Sequence, residues 1–138
     1  MKSATDVAAA IILRQNRVLV ARRATGQKMA GLWEFPGGKV EPGESAQSCI
    51  VRELHEELAI TGHAGAVLTT NLHHYPGGAI NLIAVQFDMD GDSWQLSVHD
   101  KVEWVGLNVL LGIELAPADV PIAEYLCATL LRAGTNPE

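Results

Sequence analysis

Short runs of aliphatic residues, separated by polar turns, dominate the first part of the chain. Residues 7–13 and 17–22 are rich in β-branched and aliphatic side chains, and the break between them at residues 14–16 is Arg-Gln-Asn. Such runs favour strands, and the polar break favours a tight turn. The pattern predicts a hairpin that contributes two strands to a sheet.

Residues 45–60 carry a clear helical pattern. Apolar side chains recur at positions 46, 49, 50, 54 and 58, which share one side of a helix. Ser45 is a suitable N-terminal cap, and Gly62 is suited to stop the helix. The pattern predicts an amphipathic helix with one buried side.

Further strands and one more helix complete the predicted layout. Strands are expected at residues 67–72, 80–87 and 102–105. A Pro-Gly-Gly turn at 76–78 is expected to join the first two in a hairpin. A final helix is expected to begin near residues 119–121 and to bury Ile122, Leu126 and Leu130. This order predicts an α/β protein with a sheet between helices.

Composition indicates a single folded domain. The chain has 138 residues, of which 48% are hydrophobic, and its mean hydropathy is +0.13. These values exclude disordered and fibrous classes. Without repeats or a Ser/Pro-rich linker, we expect one domain over residues 1–133 and a flexible tail over residues 134–138.

The charge balance argues against some classes of binding partner. A net charge of -6 argues against a broad basic surface for duplex nucleic acid or an anionic membrane. The apolar stretch near the start is too short for a membrane span and is a poor signal peptide. We expect a soluble cytoplasmic protein, with Cys49 and Cys127 as buried free thiols.

The candidate chemistry lies near the end of the first predicted helix. Glu53, Glu56 and Glu57 are three and four residues apart, so their carboxylates project near one edge of that helix. They repel one another, the helix dipole disfavours them there, and Arg52 supplies a single positive charge. One interpretation is a solvated acidic face. The other is a site for a hard divalent cation such as Mg²⁺, which suits a polyphosphate ligand.

The spacing upstream of these residues resembles the Nudix box. That pattern is Gly, five residues, Glu, seven residues, then Arg-Glu-aliphatic-x-Glu-Glu-x-Gly-aliphatic, and residues 38–60 fill it in register. The exception is Ala59, which stands where the family has Gly and is expected to shift the helix end slightly. The resemblance implies the Nudix fold, an α/β/α sandwich with a mixed β-sheet between helices.

The resemblance also implies a metal site. The backbone carbonyl of Gly38 and the carboxylates of Glu53, Glu56 and Glu57 would bind one or more Mg²⁺ or Mn²⁺ ions. Such a site suits the attack of water on phosphorus inside a diphosphate linkage.

Three residues of the box have an implied catalytic role. Glu44 and Arg52 would hold the loop to the helix, with Arg52 orienting Glu53. Glu53 is the first candidate for the base that takes a proton from water.

Residues 21–23 and 32–39 extend the resemblance to the MutT-like branch of the family. There an arginine matching Arg23 reaches a substrate phosphate, and the residue matching Phe35 packs on the base. The alternatives are that Phe35 is an ordinary core aromatic and that Arg22 and Arg23 are solvated residues at a strand end.

Residues 115–121 resemble the matching segment of bacterial CTP pyrophosphohydrolases in this branch. Where MutT reads oxidised guanine with an asparagine, this chain has Asp119. An ionised Asp119 only accepts hydrogen bonds and would select an exocyclic amino group, whereas a protonated one also donates. The alternative is that Asp119 caps the final helix.

One departure from the relatives bears on mechanism. Many place a glutamate with a metal or base role six residues before the residue matching Trp104, where this chain has Val98. That role is lost, falls to Glu53 alone, or has moved to His99 or Asp100. Asp100 is the preferred additional metal ligand because it offers a hard oxygen. The alternative is that both are ordinary polar loop residues.

The resemblance implies a Mg²⁺-dependent nucleoside triphosphate pyrophosphohydrolase that removes a modified nucleotide such as 8-oxo-dGTP from the nucleotide pool. The alternatives are a pyrimidine enzyme for CTP, dCTP or 5-methyl-dCTP, and a non-catalytic nucleotide sensor of Nudix fold. An acidic Ca²⁺ domain is disfavoured because no DxDxDG loop is present. No catalytic role is assigned to His73 or His74, and the protein is expected to be a monomer or homodimer.

Overall fold

The computed structural model describes residues 4–131, so the predicted tail at residues 134–138 lies outside the described part. The two α-helices in that part are α1 (Ala46–Leu58) and α2 (Val120–Leu126). The strands are β1 (Thr5–Ile11), β2 (Leu13–Arg14), β3 (Arg17–Arg23), β4 (Trp33–Glu34), β5 (Gly37–Lys39), β6 (Gly62–Tyr75), β7 (Gly78–Met89) and β8 (His99–Gly106). Short 3₁₀ turns occupy Leu110–Gly112 and Pro117–Asp119, and a π-helical turn at Cys127–Leu131 follows α2.

The strands form two sheets. The first has the order β5-β1-β7-β6 and is mixed, since β1 runs parallel to β7 while β5 and β6 are antiparallel to their neighbours. In the second sheet, β3 pairs antiparallel with β2, β4 and β8. The first sheet carries the site described below, and the second brings β4 and β8 to its edge.

The predicted hairpin at the start of the chain is only partly correct. Strand β1 belongs to the first sheet, and only the two residues of β2 pair with β3, around a turn in which Gln15 and Asn16 have positive φ. The physical reason is burial. Ala8 and Ala10 pack on one face of β1 while Ala9 packs on the other, as expected of an interior strand and not of a hairpin edge.

The two faces of the first sheet have separate cores. Helix α1 covers one face, where Ile50 and Leu54 pack against Ala8 and Val85. Helix α2 covers the opposite face, whose core includes Ala9, Ile11, Leu82, Ile122 and Leu126. Leu130, which was predicted to be buried, is half-buried. The predicted α/β/α sandwich with a mixed sheet is confirmed.

Helix α1 begins as predicted and ends earlier than predicted. The Ser45 hydroxyl accepts a hydrogen bond from the backbone N–H of Ser48 at 3.0 Å, which caps the N-terminus. At the other end, Ala59 adopts a left-handed conformation with φ 55°, and its N–H donates to the carbonyl of His55. Ala59 therefore takes the conformation that glycine favours, and it ends the helix before Gly62 is reached.

The remaining elements follow the predicted order. Strands β6 and β7 form the expected hairpin around Pro76 and Gly77, although both strands are longer than predicted. Cys49 is buried and Cys127 half-buried, and both are free thiols. Within residues 4–131, no helix has the length and apolar character that crossing a membrane requires.

Candidate active site

Two glycines bring strand β5 unusually close to its neighbours. A Cβ at Gly37 would overlap the carbonyl of Ala8 in β1, and a Cβ at Gly38 would overlap the Glu53 carboxylate. At Gly37 the obstacle is backbone, so only a residue without a side chain fits, whereas at Gly38 a side chain fits only if the Glu53 carboxylate moves away. The Gly38 backbone and the Glu53 carboxylate are therefore in direct contact.

Arg52 joins the loop before α1 to the helix itself. Its Nε and Nη2 atoms donate to the two carboxylate oxygens of Glu44 at 2.8 and 2.9 Å. Its Nη1 atom donates to Glu53 at 3.0 Å and to Glu56 at 3.2 Å, and Nη2 also reaches the carbonyl of Lys39 at 3.2 Å. The hydrogen bonds to Glu44 raise the pKa of Arg52 further above its ordinary value. One permanent cation thus fixes three carboxylates.

Glu44 is held as an anion. Besides Arg52, it accepts a hydrogen bond from the backbone N–H of Glu41 at 3.0 Å. The Arg52 hydrogen bonds, followed by that from Glu41, lower the pKa of Glu44 to about 2. Glu44 therefore does not carry protons near neutral pH, and its contacts tie the loop to α1.

Glu57 has an incompletely satisfied carboxylate. Its Oε1 atom is buried and has no hydrogen-bond partner within the part of the chain that the structure describes. Burial, followed by repulsion from Glu53, raises the pKa of Glu57 to about 7. A buried oxygen without a partner costs about 1–3 kcal/mol, so a cation bound here would relieve a real deficit.

These residues fit a hard divalent cation. Gly38, Glu53, Glu56 and Glu57 offer only oxygen donors, which Mg²⁺ prefers. Across residues 4–131, no three acidic, His or Cys side chains converge into a ready-made metal cage. Mg²⁺ commonly binds through one or two carboxylates together with water and substrate phosphates, so a preformed cage is not required.

A cavity of about 410 Å³ opens beside this group. Gly38 lines it and so borders both the cavity and the carboxylates. The predicted substrate residues Arg23, Phe35 and Asp119 line it too. Its walls are largely apolar, with contributions from Ile80, Leu82, Ala116 and Ala118. The cavity is suited to an aromatic base whose phosphates reach toward Gly38.

Asp119 is the most deeply buried carboxylate of the cavity wall. It is 7% exposed, and its Oδ2 atom accepts a hydrogen bond from the backbone N–H of Phe35 at 2.8 Å. It makes no side-chain capping bond to α2, so the capping alternative is wrong. Burial above all, with a smaller contribution from Glu34, raises the pKa of Asp119 to about 8. Asp119 is therefore mainly protonated at neutral pH.

Phe35 and Arg23 are both fixed by their neighbours. Phe35 is 3% exposed and belongs to the core as well as to the cavity wall, so its two interpretations are compatible. Arg23 is half-buried, donating to Glu34 at 3.3 Å and to the carbonyl of Lys28 at 3.2 Å. It is not a freely solvated strand-end residue.

The structure does not bring Asp100 to the carboxylates of α1. Arg22 donates to both of its oxygens, at 2.8 and 3.1 Å, and Arg22 in turn stacks on the ring of Trp33. The neighbouring His99 is buried and contacts Glu34 at 2.8 Å. Asp100 lies at an irregularity of the sheet, since Arg22 pairs with Lys101 and Arg23 with His99. Asp100, the expected additional metal ligand, is thus paired with Arg22 through both of its carboxylate oxygens.

Four further residues contribute to the cavity beyond the three substrate residues that the sequence predicts. His73, Tyr75 and Glu34 line the cavity, and His99 supports Glu34 from behind. Strand alternation placed His73 and His74 on opposite faces, which already meant that one of them could face a ligand. No local signal in the sequence points to Glu34, and the sequence indicates His99 only as an alternative to Asp100 for the role missing at Val98.

Comparison with known proteins agrees with this geometry. The family model described as NUDIX domain matches residues 4–127. The chain is 40% identical over 128 residues to the CTP pyrophosphohydrolase of Escherichia coli (strain K12), covering 93% of each protein. It is 32% identical over 123 residues to the 8-oxo-dGTP diphosphatase of the same organism, covering 88% of this chain and 95% of that protein.

Solved structures give the same result. The solution structure of the E. coli ORF135 protein superposes with a TM-score of 0.81 at 38% identity, covering 99% of this chain and 96% of that one. The MutT protein from Methanosarcina mazei Go1 superposes with a TM-score of 0.78 at 28% identity, covering 98% of both chains. Fold, box residues and relatives agree over nearly the full length, and the chain belongs to the Nudix hydrolase family.

Proposed function

We propose that the protein is a metal-dependent nucleoside triphosphate pyrophosphohydrolase, which releases a nucleoside monophosphate and pyrophosphate. The observation that carries the proposal is the position of Gly38, which borders both the Glu53 carboxylate and a cavity of base-accommodating size. A nucleotide whose base fills the cavity would extend its phosphates over Gly38 toward Glu53 and Glu57.

Each residue of the cluster has a distinct part in this mechanism. A bound divalent ion, Mg²⁺ in our proposal, would neutralise phosphate charge and lower the pKa of an attacking water. Gly38, Glu53, Glu56 and Glu57 would hold that ion. Glu53 takes the proton of the water, and Arg52 keeps Glu53 oriented through the 3.0 Å hydrogen bond. Hydrolases of this family generally use divalent metal ions, in agreement with the donor set.

The protonation state of Asp119 in the cavity distinguishes two substrate classes. A protonated Asp119 donates a hydrogen bond as an asparagine would, which suits the carbonyl edge of an oxidised purine such as that of 8-oxo-dGTP. This is our first substrate proposal, and it implies a role in clearing damaged nucleotides before they enter DNA. An ionised Asp119 would instead accept from the amino group of cytosine. The 40% identical CTP pyrophosphohydrolase supports that second candidate, a CTP, dCTP or 5-methyl-dCTP enzyme.

The proposal is tested by pyrophosphate release from a nucleotide panel. The panel contains 8-oxo-dGTP, dGTP, CTP, dCTP and 5-methyl-dCTP, each with Mg²⁺, with Mn²⁺ and with EDTA. We expect metal-dependent turnover with a clear preference for one base. Tight nucleotide binding without turnover on any member would overturn the proposal in favour of a non-catalytic sensor.

The contact between Gly38 and Glu53 gives a second test. Gly38→Ala places a methyl group where the Glu53 carboxylate lies, so Glu53 must move and kcat should fall about tenfold. Gly112→Ala is the matched control, because nothing lies within 4 Å of its added Cβ. Steady-state kinetics of both variants measure the effect. Equal kcat values would show that the position of Glu53 does not matter for turnover.

Three further properties belong to the same proposal. The protein acts in the cytoplasm, where its nucleotide substrates are found. It binds neither duplex nucleic acid nor membrane, as the net charge of -6 suggests. It works as a monomer or homodimer, since Arg23, Gly38 and Asp119 of one chain line the cavity.

A further inference from the structure

His99 is buried beside the site and has one satisfied ring nitrogen. The residue is 2% exposed, and its Nε2 atom lies 2.8 Å from Oε2 of Glu34. A carboxylate accepts hydrogen bonds, so Nε2 carries the hydrogen and donates. The Nδ1 atom is buried and has no partner among residues 4–131.

The buried Nδ1 atom of His99, unpartnered within the described chain, does not stabilise the fold. A buried ring nitrogen without a partner loses its hydration and gains nothing in return. An apolar residue of similar size would avoid that loss. The favourable contribution of His99 is therefore its hydrogen bond to Glu34, a residue that lines the cavity.

The Glu34 oxygen that accepts from His99 also accepts from Arg23. The Nη1 atom of Arg23 lies 3.3 Å from the same Oε2 atom. Among the described residues, the Arg23 side chain makes one further hydrogen bond, from Nε to the carbonyl of Lys28. Arg23 and Glu34 both line the cavity, whereas His99 stands behind Glu34. The chain of contacts therefore runs from a buried histidine to a guanidinium at the cavity.

Arg23 and His99 compete for the Oε2 atom of Glu34, and this competition determines how Arg23 pairs with Glu34. Arginine and carboxylate groups favour a bidentate pair with two short hydrogen bonds. Here His99 takes the shorter bond to Oε2, and Arg23 makes a single longer one. Without His99, Glu34 would be free to turn and pair with Arg23 through both oxygens. That pair would occupy the guanidinium N–H groups of Arg23 that a substrate phosphate needs as donors.

We propose that His99 is a positioning residue, which anchors Glu34 and thereby keeps Arg23 available for a substrate phosphate. The proposal rests on the proposed function for the identity of that phosphate. It also assigns a role to the buried histidine that follows Val98, which organises an arginine at the cavity.

The test compares His99→Leu with His99→Gln. Leucine removes the donor, whereas glutamine carries an amide N–H that can reach Glu34. For His99→Leu we expect KM to rise about tenfold, the loss expected for one hydrogen bond to a charged group, with kcat changed less than threefold. His99→Gln should restore KM to within threefold of the original protein. His74→Leu, at an exposed position of β6, is the control for loss of a histidine.

A double variant tests the mechanism. Glu34→Gln cannot form the charged pair, so in the His99→Leu background it should recover part of the lost affinity. An unchanged KM in His99→Leu would overturn the proposal. So would failure of both His99→Gln and the double variant to recover affinity. Thermal unfolding of each variant identifies a loss of affinity that is due to misfolding. If His99→Leu misfolds, the test rests on His99→Gln and on the single variant Glu34→Gln.

A readout without turnover separates this inference from the proposed function. The ¹⁵Nε–¹Hε signal of Arg23, assigned with Arg23→Lys, reports its hydrogen bonding in the free protein. It should shift in His99→Leu and stay near its original position in His99→Gln. If the original protein hydrolyses no nucleotide, the proposed function fails while this signal still tests the contact chain. If hydrolysis occurs and the signal and KM stay fixed, only the role of His99 is refuted.

Discussion

Replacing Glu53 by glutamine is expected to lower kcat by about a hundredfold to ten-thousandfold, the range found when a general base is removed. Glutamine has nearly the same shape, so it can stay against Gly38 and still accept from Arg52. It cannot take a proton from water. We therefore expect the protein to fold and to bind nucleotide while turnover is largely lost.

The measurement combines single-turnover kinetics with nucleotide binding and thermal unfolding. Glu124→Gln is the matched control, because Glu124 is an exposed carboxylate on α2, away from the cluster. Glu53→Gln should differ from this control in kcat and agree with it in unfolding temperature to within a few degrees. A kcat equal to that of the control would remove Glu53 as the base.

That contrary result would direct attention to Glu57. Burial raises the pKa of Glu57 to about 7, and its Oε1 atom has no partner in the described chain. Asp100, the earlier alternative, is paired through both oxygens with Arg22. Glu57, and not Asp100, is therefore the second candidate for the base.

The part of the site that sequence predicts well is local. The spacing of Glu53, Glu56 and Glu57 fixes their common edge because helix geometry determines it. Ser45 caps α1 for the same kind of reason, as its hydroxyl has only three residues to span. Gly38 is likewise required by a contact within the box, because a side chain there would overlap the Glu53 carboxylate.

The parts that sequence does not predict depend on distant pairing. Strand β1 lies parallel to β7, with paired residues 75 positions apart, and no short-range pattern distinguishes this from a hairpin with β3. The pairing of β3 with β8 shifts between Arg22 and Arg23, so whether His99 or Asp100 faces inward depends on one irregularity. Chemical preference favoured Asp100, but strand geometry gave the inward position to His99.

Asp119 shows why a correctly chosen residue can still be misread. Its position in the substrate site was expected from resemblance, yet its partner is the backbone N–H of Phe35, which lies 84 residues away. The sequence left capping of α2 as an alternative because the residue stands at the start of that helix. Only the fold shows that the carboxyl turns toward the cavity and is buried there.

The protonation of Asp119 should make stability depend on pH. Burial raises its pKa from 3.8 to about 8, so between these values the unfolded chain loses the proton while the folded protein keeps it. Ionisation therefore favours the unfolded state progressively, and stability falls as pH rises through this window. Asp119→Asn removes the ionisable group and keeps an acceptor for Phe35.

We expect the free energy of unfolding of Asp119→Asn to exceed that of the original protein above pH 4. The difference should widen by at most about 1.4 kcal/mol per pH unit and level off above pH 8. Denaturant unfolding at pH 5, 6, 7, 8 and 9 measures it. A constant difference across this range would mean that Asp119 is ionised in the folded protein.

At pH 9, where Asp119 is ionised and only accepts hydrogen bonds, the same substitution should change base preference by about ten- to a hundredfold, the value of a hydrogen bond to a charged group. In the original protein, the preference for cytosine over 8-oxoguanine nucleotides should rise between pH 7 and 9, because ionised Asp119 accepts from an amino group and no longer donates. Asparagine has both functions at every pH, so Asp119→Asn should favour the oxidised purine throughout, with little pH dependence in the ratio of kcat/KM values. Competition assays with 8-oxo-dGTP and dCTP measure this ratio directly. If both proteins show the same ratio at each pH, Asp119 supports Phe35 and does not read the base.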